Sequence, residues 1–430
     1  MKVAYSLCLL ATFAHLTVGQ TNRTLVKGLT GKFLHVTDIH LDPYYLTGSS
    51  PKHLCHKQSE KAYKNTAGRF GALGTKCDSP LSLVDASFQF MKESLQDIDF
   101  IIYTGDTARH DRDKVMKRTE PDILEGHKAV VDYFKNAFDI QTIKLIPTLG
   151  NNDGTEHNIL RSTSSIYSSL ESIWKPLGLN LNDTFPTGGY FMQNDVVPGL
   201  QIMNINSMFF FYKNTAVEGC DKEGSPGAIQ LAWMKNKLEL AKKDNAMVYI
   251  MGHVPPYHDD GSPSFTPSCL SQYFDLIGRY GDVIAGHFTG HTNNDVLTAV
   301  VANNGTFEAI PAIPIKNNLR TLHVGPIASM FFNAPSIIPV NNPAIRVYQY
   351  QTMPGKEYPV GTILDWDQYY ADLDKANAEG KIEYELEYKA SQLYGVNRFD
   401  AQGISRAFKQ LRVNSLSRQN YIRYVTVSKT

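Results

Sequence analysis

Cysteine is scarce. The chain has five in 430 residues, and none is in C-x-x-C spacing, which argues against metal binding by cysteine and leaves any metal to other donors. Net charge is absent as well. Forty-two Lys and Arg balance 42 Asp and Glu, so no global field draws the chain toward nucleic acid or an anionic membrane, and any pull on an anion must be local. There is no internal repeat, no low-complexity linker and, past the N-terminus, no apolar run long enough to span a bilayer. What is present is a 42% hydrophobic composition, enough for a large core and unlike that of a disordered chain.

The N-terminus reads as a signal peptide over residues 1–19. Lys2 forms a short basic region, Val3 to Ala14 is mostly apolar, and Thr17-Val18-Gly19 offers small residues before a cut ahead of Gln20. An uncleaved anchor is the other reading, but the apolar stretch is short for a span and His15 interrupts it. No stable span is expected after signal removal. Cys8 leaves with that segment. Cys55, Cys77, Cys220 and Cys269 remain, an even number that suits two disulfides in an oxidising compartment. Three pairings are open, and the sequence-local ones, Cys55–Cys77 and Cys220–Cys269, are favoured. Asn22, Asn182 and Asn304 each begin an N-x-T sequon. Together these features point to the secretory pathway, ending in a vacuole lumen or outside the cell.

Five apolar runs end in residues that bind metals. Phe33 to Thr37 ends in Asp38-Ile-His40, and Phe100 to Tyr103 leads through Thr-Gly to Asp106. Ile143 to Leu149 ends in Gly150-Asn151-Asn152-Asp153. Met247 to Met251 ends in Gly252-His253-Val-Pro255, and Val283 to Ala285 leads through Gly286-His287 to Gly290-His291-Thr-Asn293. Short apolar runs of this kind read as buried strands of a largely parallel sheet, and the carboxyl ends of such strands are where ligands bind. Any one of these residues alone has a plainer explanation. A buried histidine is usually a hydrogen-bonded core residue, and Asn-Asp after Gly is usually a turn. The ordered set leaves little room for coincidence.

Between the runs, Ser82 to Asp97, Thr119 to Asn136, Tyr167 to Leu177 and Pro226 to Ala241 read as helices. Leu41 to Pro80 is irregular, and Tyr190 to Tyr212 is β-rich. The aromatic run closing that stretch packs in the core or walls a substrate channel, the former being favoured. Asp365 to Leu393 carries Tyr, Leu, Glu and Lys at helical spacing, and Asp400 caps a last helix with Ile404, Phe408 and Leu411 on one face.

The set D-x-H, G-D, G-N-x-D, G-H-x-P and G-H-x-N resembles the signature of the calcineurin-like metallophosphoesterases. The resemblance implies a four-layer α/β/β/α sandwich over residues 20–350, followed by a C-terminal helical extension over 351–430. It also implies two divalent metal ions, drawn from Mn, Zn, Fe, Co or Mg. Asp38 and His40 would hold the first, Asn151, His253 and His291 the second, and Asp106 both.

Two positions depart from the common family pattern. Asn152 stands where many members have a phosphate-contacting histidine, and Asn293 where many have a histidine ligand to the first metal; His287 is a candidate replacement for the latter. With the Cys77-Asp-Ser-Pro-Leu stretch and His157-Asn-Ile159, these departures resemble fungal endopolyphosphatases, relatives of acid sphingomyelinase. The activity implied is hydrolysis of phosphoanhydride bonds within inorganic polyphosphate, or of another phosphorylated small substrate. The alternatives are a sphingomyelinase-like phosphodiesterase, a nucleotide phosphohydrolase, and a polyanion-binding pseudoenzyme with a weakened first site. No nucleic-acid partner is expected. For catalysis the candidates are His110, Asn152 and His157. For substrate binding they are Arg109, Arg112 and Lys114, which crowd a short stretch with Lys117 and Arg118 just after Asp106.

Overall fold

The computed structural model describes residues 30–181, 184–312, 325–353 and 358–429. The signal-peptide reading and the sequons at Asn22 and Asn182 lie outside them. Two sheets form the core. One runs, edge to edge, Glu385–Lys389, Ile363–Tyr370, Ala344–Gln351, Thr30–Val36, Phe100–Tyr103, Lys144–Pro147. The other runs Thr306–Pro311, Val296–Asn303, Ile327–Asn333, Ile284–Thr289, Met247–Met251, Leu200–Asn204, Phe191–Val197.

The two sheets meet face to face through aromatic rings. Phe33 of the first sheet lies 5.5 Å from Tyr249 and 5.3 Å from Phe288 of the second, measured between ring centroids. Helices cover both outer faces. The helix Glu120–Ala137 sets Phe134 against Tyr103 on one side, and the helix Pro267–Arg279 sets Phe274 near Phe331 on the other. This is the expected four-layer α/β/β/α arrangement.

The helix ends follow from their sequences. Thr119 accepts from the Asp122 amide while the Asp122 side chain accepts from the Thr119 amide, a reciprocal cap with Pro121 in the first turn. Asp400 caps Ala401–Val413 through the Gly403 amide, as its sequence predicts.

The tail differs in part from expectation. Residues after 390 are mostly helical, but Ile363–Tyr370 and Glu385–Lys389 are strands that widen the first sheet. No sheet boundary falls at residue 350, because Ala344–Gln351 pairs with Thr30–Val36 on one side and Ile363–Tyr370 on the other. The physical reason is burial of one face, its alternation broken by a register shift opposite Gln349/Tyr350. Ile363, Trp366 and Gln368 turn inward, and Trp366 packs on the buried Arg346 guanidinium at 5.2 Å. Aromatic residues fit a pleated, half-buried surface better than a solvated helix.

Both disulfides form as favoured, Cys55–Cys77 and Cys220–Cys269. Asn304 is exposed, at the turn between two hairpin strands. Among the described residues, no helix is long and apolar enough to cross a membrane.

Candidate metal centre

In the first sheet, Thr30–Val36, Phe100–Tyr103 and Lys144–Pro147 are parallel neighbours in register, Val36 beside Tyr103 beside Pro147. In the second, Met247–Met251 and Ile284–Thr289 are likewise parallel. Their carboxyl ends deliver Asp38, Asp106, Asn151, His253 and His291 to one place. The ligand atoms of Asp38, His40 and Asp106 lie within 4.8 Å of one another, and so do those of Asp106, His253 and His291. Asp106 is common to both groups. Its Oδ2 is 3.2 Å from His40 Nε2 and 3.2 Å from His253 Nε2. The Asn151 amide oxygen completes the second group, 3.0 Å from His253 Nε2 and 2.7 Å from His291 Nδ1.

Backbone geometry is unusual here. Asp38, His40, Asp106, His291 and Asn293 all have positive φ, between 45° and 71°. Side-chain-bearing residues rarely adopt that conformation, at a cost of about 1–3 kcal/mol each. Several hydrogen bonds enforce it. The amides of Asp38 and His40 donate to the carbonyls of Gly105 and Asp106, the Ile338 amide donates to the Asp38 carbonyl, and the His291 amide donates to Asp38 Oδ2 at 3.0 Å. Close approach also demands glycine. A Cβ on Gly150 would fall 2.0 Å from Asp106 Oδ1, and one on Gly290 would fall 2.5 Å from Asp38 Oδ2.

The electrostatics fit two divalent cations. Asp38 and Asp106 are buried together, which is costly without positive charge between them. Burial opposes charge on His40, but Asp106 and Asp38 outweigh it and lift the ring to about 10. The same balance lifts His253 to about 9. The carboxylates thus demand positive charge at these two Nε2 atoms, where a divalent ion would supply it. Orientation agrees. The Nδ1 of His40 lies 3.0 Å from the Ala108 carbonyl and that of His253 lies 2.8 Å from the Thr104 carbonyl. With Nδ1–H donated to a carbonyl, Nε2 keeps its lone pair for a metal. Burial lowers His291 to about 3, leaving a neutral ring suited to ligation.

Asn293 follows His291 by two residues, and its Nδ2 lies 3.5 Å from the His291 carbonyl. Its Oδ1 is buried and has no hydrogen-bond partner among the described residues, which suits an atom that ligates. His287 does not replace it. Tyr273 Oη is 3.1 Å from its Nδ1 and Ser329 Oγ is 2.9 Å from its Nε2, and its ring stacks on Phe331, so it is a satisfied core histidine.

The catalytic candidates surround the same point. Asn152 donates to Asp106 twice, from its amide N to Oδ1 and from Nδ2 to Oδ2, both at 2.8 Å. Its own Oδ1 is 2.8 Å from His157 Nδ1. His110 stacks on His40, and its Nδ1 is 2.6 Å from Asp78 Oδ1. Burial brings His110 down to about 4, against the pull of Asp78.

The basic stretch divides. Arg109 is buried, with Nη2 on the Met116 carbonyl, its guanidinium 5.2 Å from the Tyr44 ring, and Nε and Nη1 without a hydrogen-bond partner among the described residues. Arg118 is buried too, donating to the carbonyls of Arg109, Asn152 and Gly154. Arg112, Lys114 and Lys117 are exposed. Of the aromatic run, Phe209 to Phe211 are core, with Phe211 edge-on to His291 at 5.4 Å, while Tyr212 is exposed.

Sequence reasoning missed three supporting residues. Asp153 accepts from the amides of Asp106, Thr107, Ala108 and Gly150, and its carboxylate lies 3.2 Å from His127. Its place inside the G-N-x-D motif was the available signal. Asp78, next to Cys77, holds His110 through both carboxylate oxygens. Asn341 donates to the Asn293 carbonyl and to Asn294 Oδ1, and no local pattern marks it.

Comparison with known proteins agrees with this geometry. The family model described as calcineurin-like phosphoesterase matches residues 31–294, and one described as acid sphingomyelin phosphodiesterase C-terminal region matches residues 317–430. An endopolyphosphatase of Cryptococcus neoformans var. neoformans serotype D is 33% identical over 301 residues, covering 63% of this chain and 44% of its own. An endopolyphosphatase of Saccharomyces cerevisiae is 35% identical over 281 residues, covering 63% and 41%. The Rattus norvegicus protein named cyclic GMP-AMP phosphodiesterase SMPDL3A is 32% identical over 415 residues, covering 93% and 84%. The chain spans only about two fifths of the length of those endopolyphosphatases. Five strand ends that assemble two candidate metal-holding groups around one shared aspartate, together with a family match over more than half the chain, establish that it belongs to the calcineurin-like phosphoesterases.

Proposed function

We propose that this hydrolase cleaves phosphoanhydride bonds within linear inorganic polyphosphate, in a lumenal or extracellular compartment. In this reading Asp38, His40, Asp106 and Asn293 hold one divalent ion, and Asp106, Asn151, His253 and His291 hold the other. Such ions, when bound, neutralise phosphoryl charge and lower the pKa of a coordinated water.

The observation that carries the reading is Asn152. It occupies a position where the family commonly has histidine, and both ends of its amide are engaged, by Asp106 and by His157. An amide can hold a phosphoryl oxygen but cannot give up a proton at neutral pH. A phosphoanhydride needs that proton less than an ester does, because its leaving group is a phosphate and not an alkoxide. His110 and His157 remain as phosphate binders, with His110 the better placed for a proton because Asp78 fixes its ring. Arg112 and Lys114 meet the substrate from the exposed loop.

A second reading is supported by the SMPDL3A relative, which aligns over 93% of the chain. On it, the same centre hydrolyses a phosphodiester. Incubation with long-chain polyphosphate, ATP, cyclic GMP-AMP and sphingomyelin, with and without Mn, separates the readings. Chain shortening on a gel supports the first, and diester turnover without it supports the second. Binding without turnover in any metal would mean a pseudoenzyme.

A further inference from the structure

The chain is neutral overall, but its charge is not evenly spread. Residues 51–76 and 109–118 contain eleven of the 42 Lys and Arg and only three of the 42 acidic residues. The two segments are locked to each other. His56 bridges them, with Nδ1 2.7 Å from Asp113 Oδ2 and Nε2 2.8 Å from Asp42 Oδ2, and Arg112 donates to the Lys76 carbonyl at 3.1 Å. The Cys55–Cys77 disulfide closes the first segment. Both segments border the metal centre. Asp42 follows His40 by two residues, and Asp78 holds His110, whose ring stacks on His40 at 4.2 Å. Lys52, Lys57, Lys61, Lys76, Lys114 and Lys117 are exposed on this flank, and none has an ion-pair partner among the described residues.

We infer that this flank is a binding track for a long linear polyphosphate, holding the chain beyond the phosphates that meet the metals. The inference rests on the proposed polyphosphate reading and extends it from a bond to a polymer. A cluster of unpaired cations beside an anionic polymer raises its local concentration without contacting the reacting bond. The flank fits bare phosphate better than single-stranded nucleic acid, which is held by successive aromatic platforms. Its two exposed rings are not free platforms: Tyr44 has Arg109 over one face at 5.2 Å, and Tyr63 has Lys64 at 5.8 Å.

The test compares the intact protein with a variant carrying Lys52→Gln, Lys57→Gln, Lys61→Gln and Lys117→Gln, loaded with the same metal. With long-chain polyphosphate, KM should rise about tenfold with kcat little changed, and most of the salt dependence of KM should disappear. The ratio of kcat/KM for long-chain polyphosphate to that for tripolyphosphate should fall by the same factor. An unchanged ratio overturns the track. Direct binding separates this inference from the reading beneath it, using anisotropy of end-labelled polyphosphate in the presence of a chelator. If the intact protein binds the polymer and the variant does not, the track stands even where no polyphosphate is cleaved. If cleavage occurs and the variant binds as well as the parent, the activity stands and the track falls. Equal or tighter binding of a single-stranded oligonucleotide of matched length overturns the assignment to polyphosphate.

Discussion

His110 lies flat against His40, with ring centroids 4.2 Å apart and planes 14° from parallel. The stack places a histidine outside the two groups that share Asp106 directly against one proposed to ligate metal, with Asp78 fixing its rotation from behind. Replacing His110 with Ala should therefore lower kcat with metal content intact, by about 10²–10⁴-fold where a proton is needed. The loss should be larger for substrates with poor leaving groups. Equal losses across a leaving-group series would leave His110 only a positioning role. Asp78→Asn should give a weaker form of the same defect, since the ring stays but loses its charged partner.

Asp106→Asn should remove activity and metal together. The carboxylate faces both groups, so losing its charge weakens both ions at once. Elemental analysis of the purified variant checks this. Full metal content in an inactive protein would contradict the shared role.

Asn293→His should tighten metal at the first group or shift its preference toward Zn, because imidazole is a softer and stronger donor than an amide oxygen. Metal titration of both proteins reads the outcome. Identical content and preference would mean that the buried Asn293 Oδ1 is not a ligand.

Asp153→Ala should destabilise the protein by about 3–5 kcal/mol, the usual cost of breaking a buried charged network. Four amides lose their acceptor, including that of Asp106. Chemical denaturation measures the loss, and metal affinity should fall with it.

The bridge at His56 should make stability depend on pH. Partial burial works against charge on this ring, but Asp42 and Asp113 outweigh it and raise its pKa above the ordinary 6.5. Its contribution is then fully present below pH 6.5 and lost as pH rises through the raised value. On the acid side the hydrogen bond from His56 holds Asp113 down to about 2, so that carboxylate's share fades only as pH drops from about 4 toward 2. His56→Gln should lower the Tm near pH 5 and leave it almost unchanged near pH 9. A shift of the same size at both would show that His56 acts through packing alone.

The strands and the donors gathered at their ends were legible because they depend on neighbours in sequence: an apolar run, in four of the five a turn glycine, then a donor. The helix caps at Thr119 and Asp400 are local in the same way. Asp78 and Asn341 were not legible as site residues, because each acts on a partner that chain topology brings near; Asp153 was marked by its motif, but its role on the Asp106 amide, 47 residues away, was not. Asn341 reaches Asn293 across 48 residues of sequence. The burial of Arg109 and Arg118 was hidden for a related reason. A run of charges reads as a solvated face, and only the folded loop shows which of them turn inward to hold carbonyls. Within residues 365–393, Leu373–Glu379 and the turn from Ala390 are helical as read, but 365–370 and 385–389 misled because Tyr, Leu, Glu and Lys at helical spacing also fit a sheet. What decided was the neighbouring strand Ala344–Gln351, which needed a partner and gave Trp366 a buried place beside Arg346.

That strand has a consequence for how the protein comes apart. The two matched family regions, 31–294 and 317–430, look separable along the chain. Yet Ala344–Gln351 belongs to the second region and hydrogen-bonds directly to Thr30–Val36, which carries Asp38 at its end. Tyr348 from that strand stacks on Phe33 at 4.8 Å, between the sheets. Ending the chain before residue 344 would strip the Asp38 strand of its neighbour and leave a bare, apolar edge open to other chains. The two regions should therefore melt in a single cooperative transition, and neither should persist as a soluble fragment without the other.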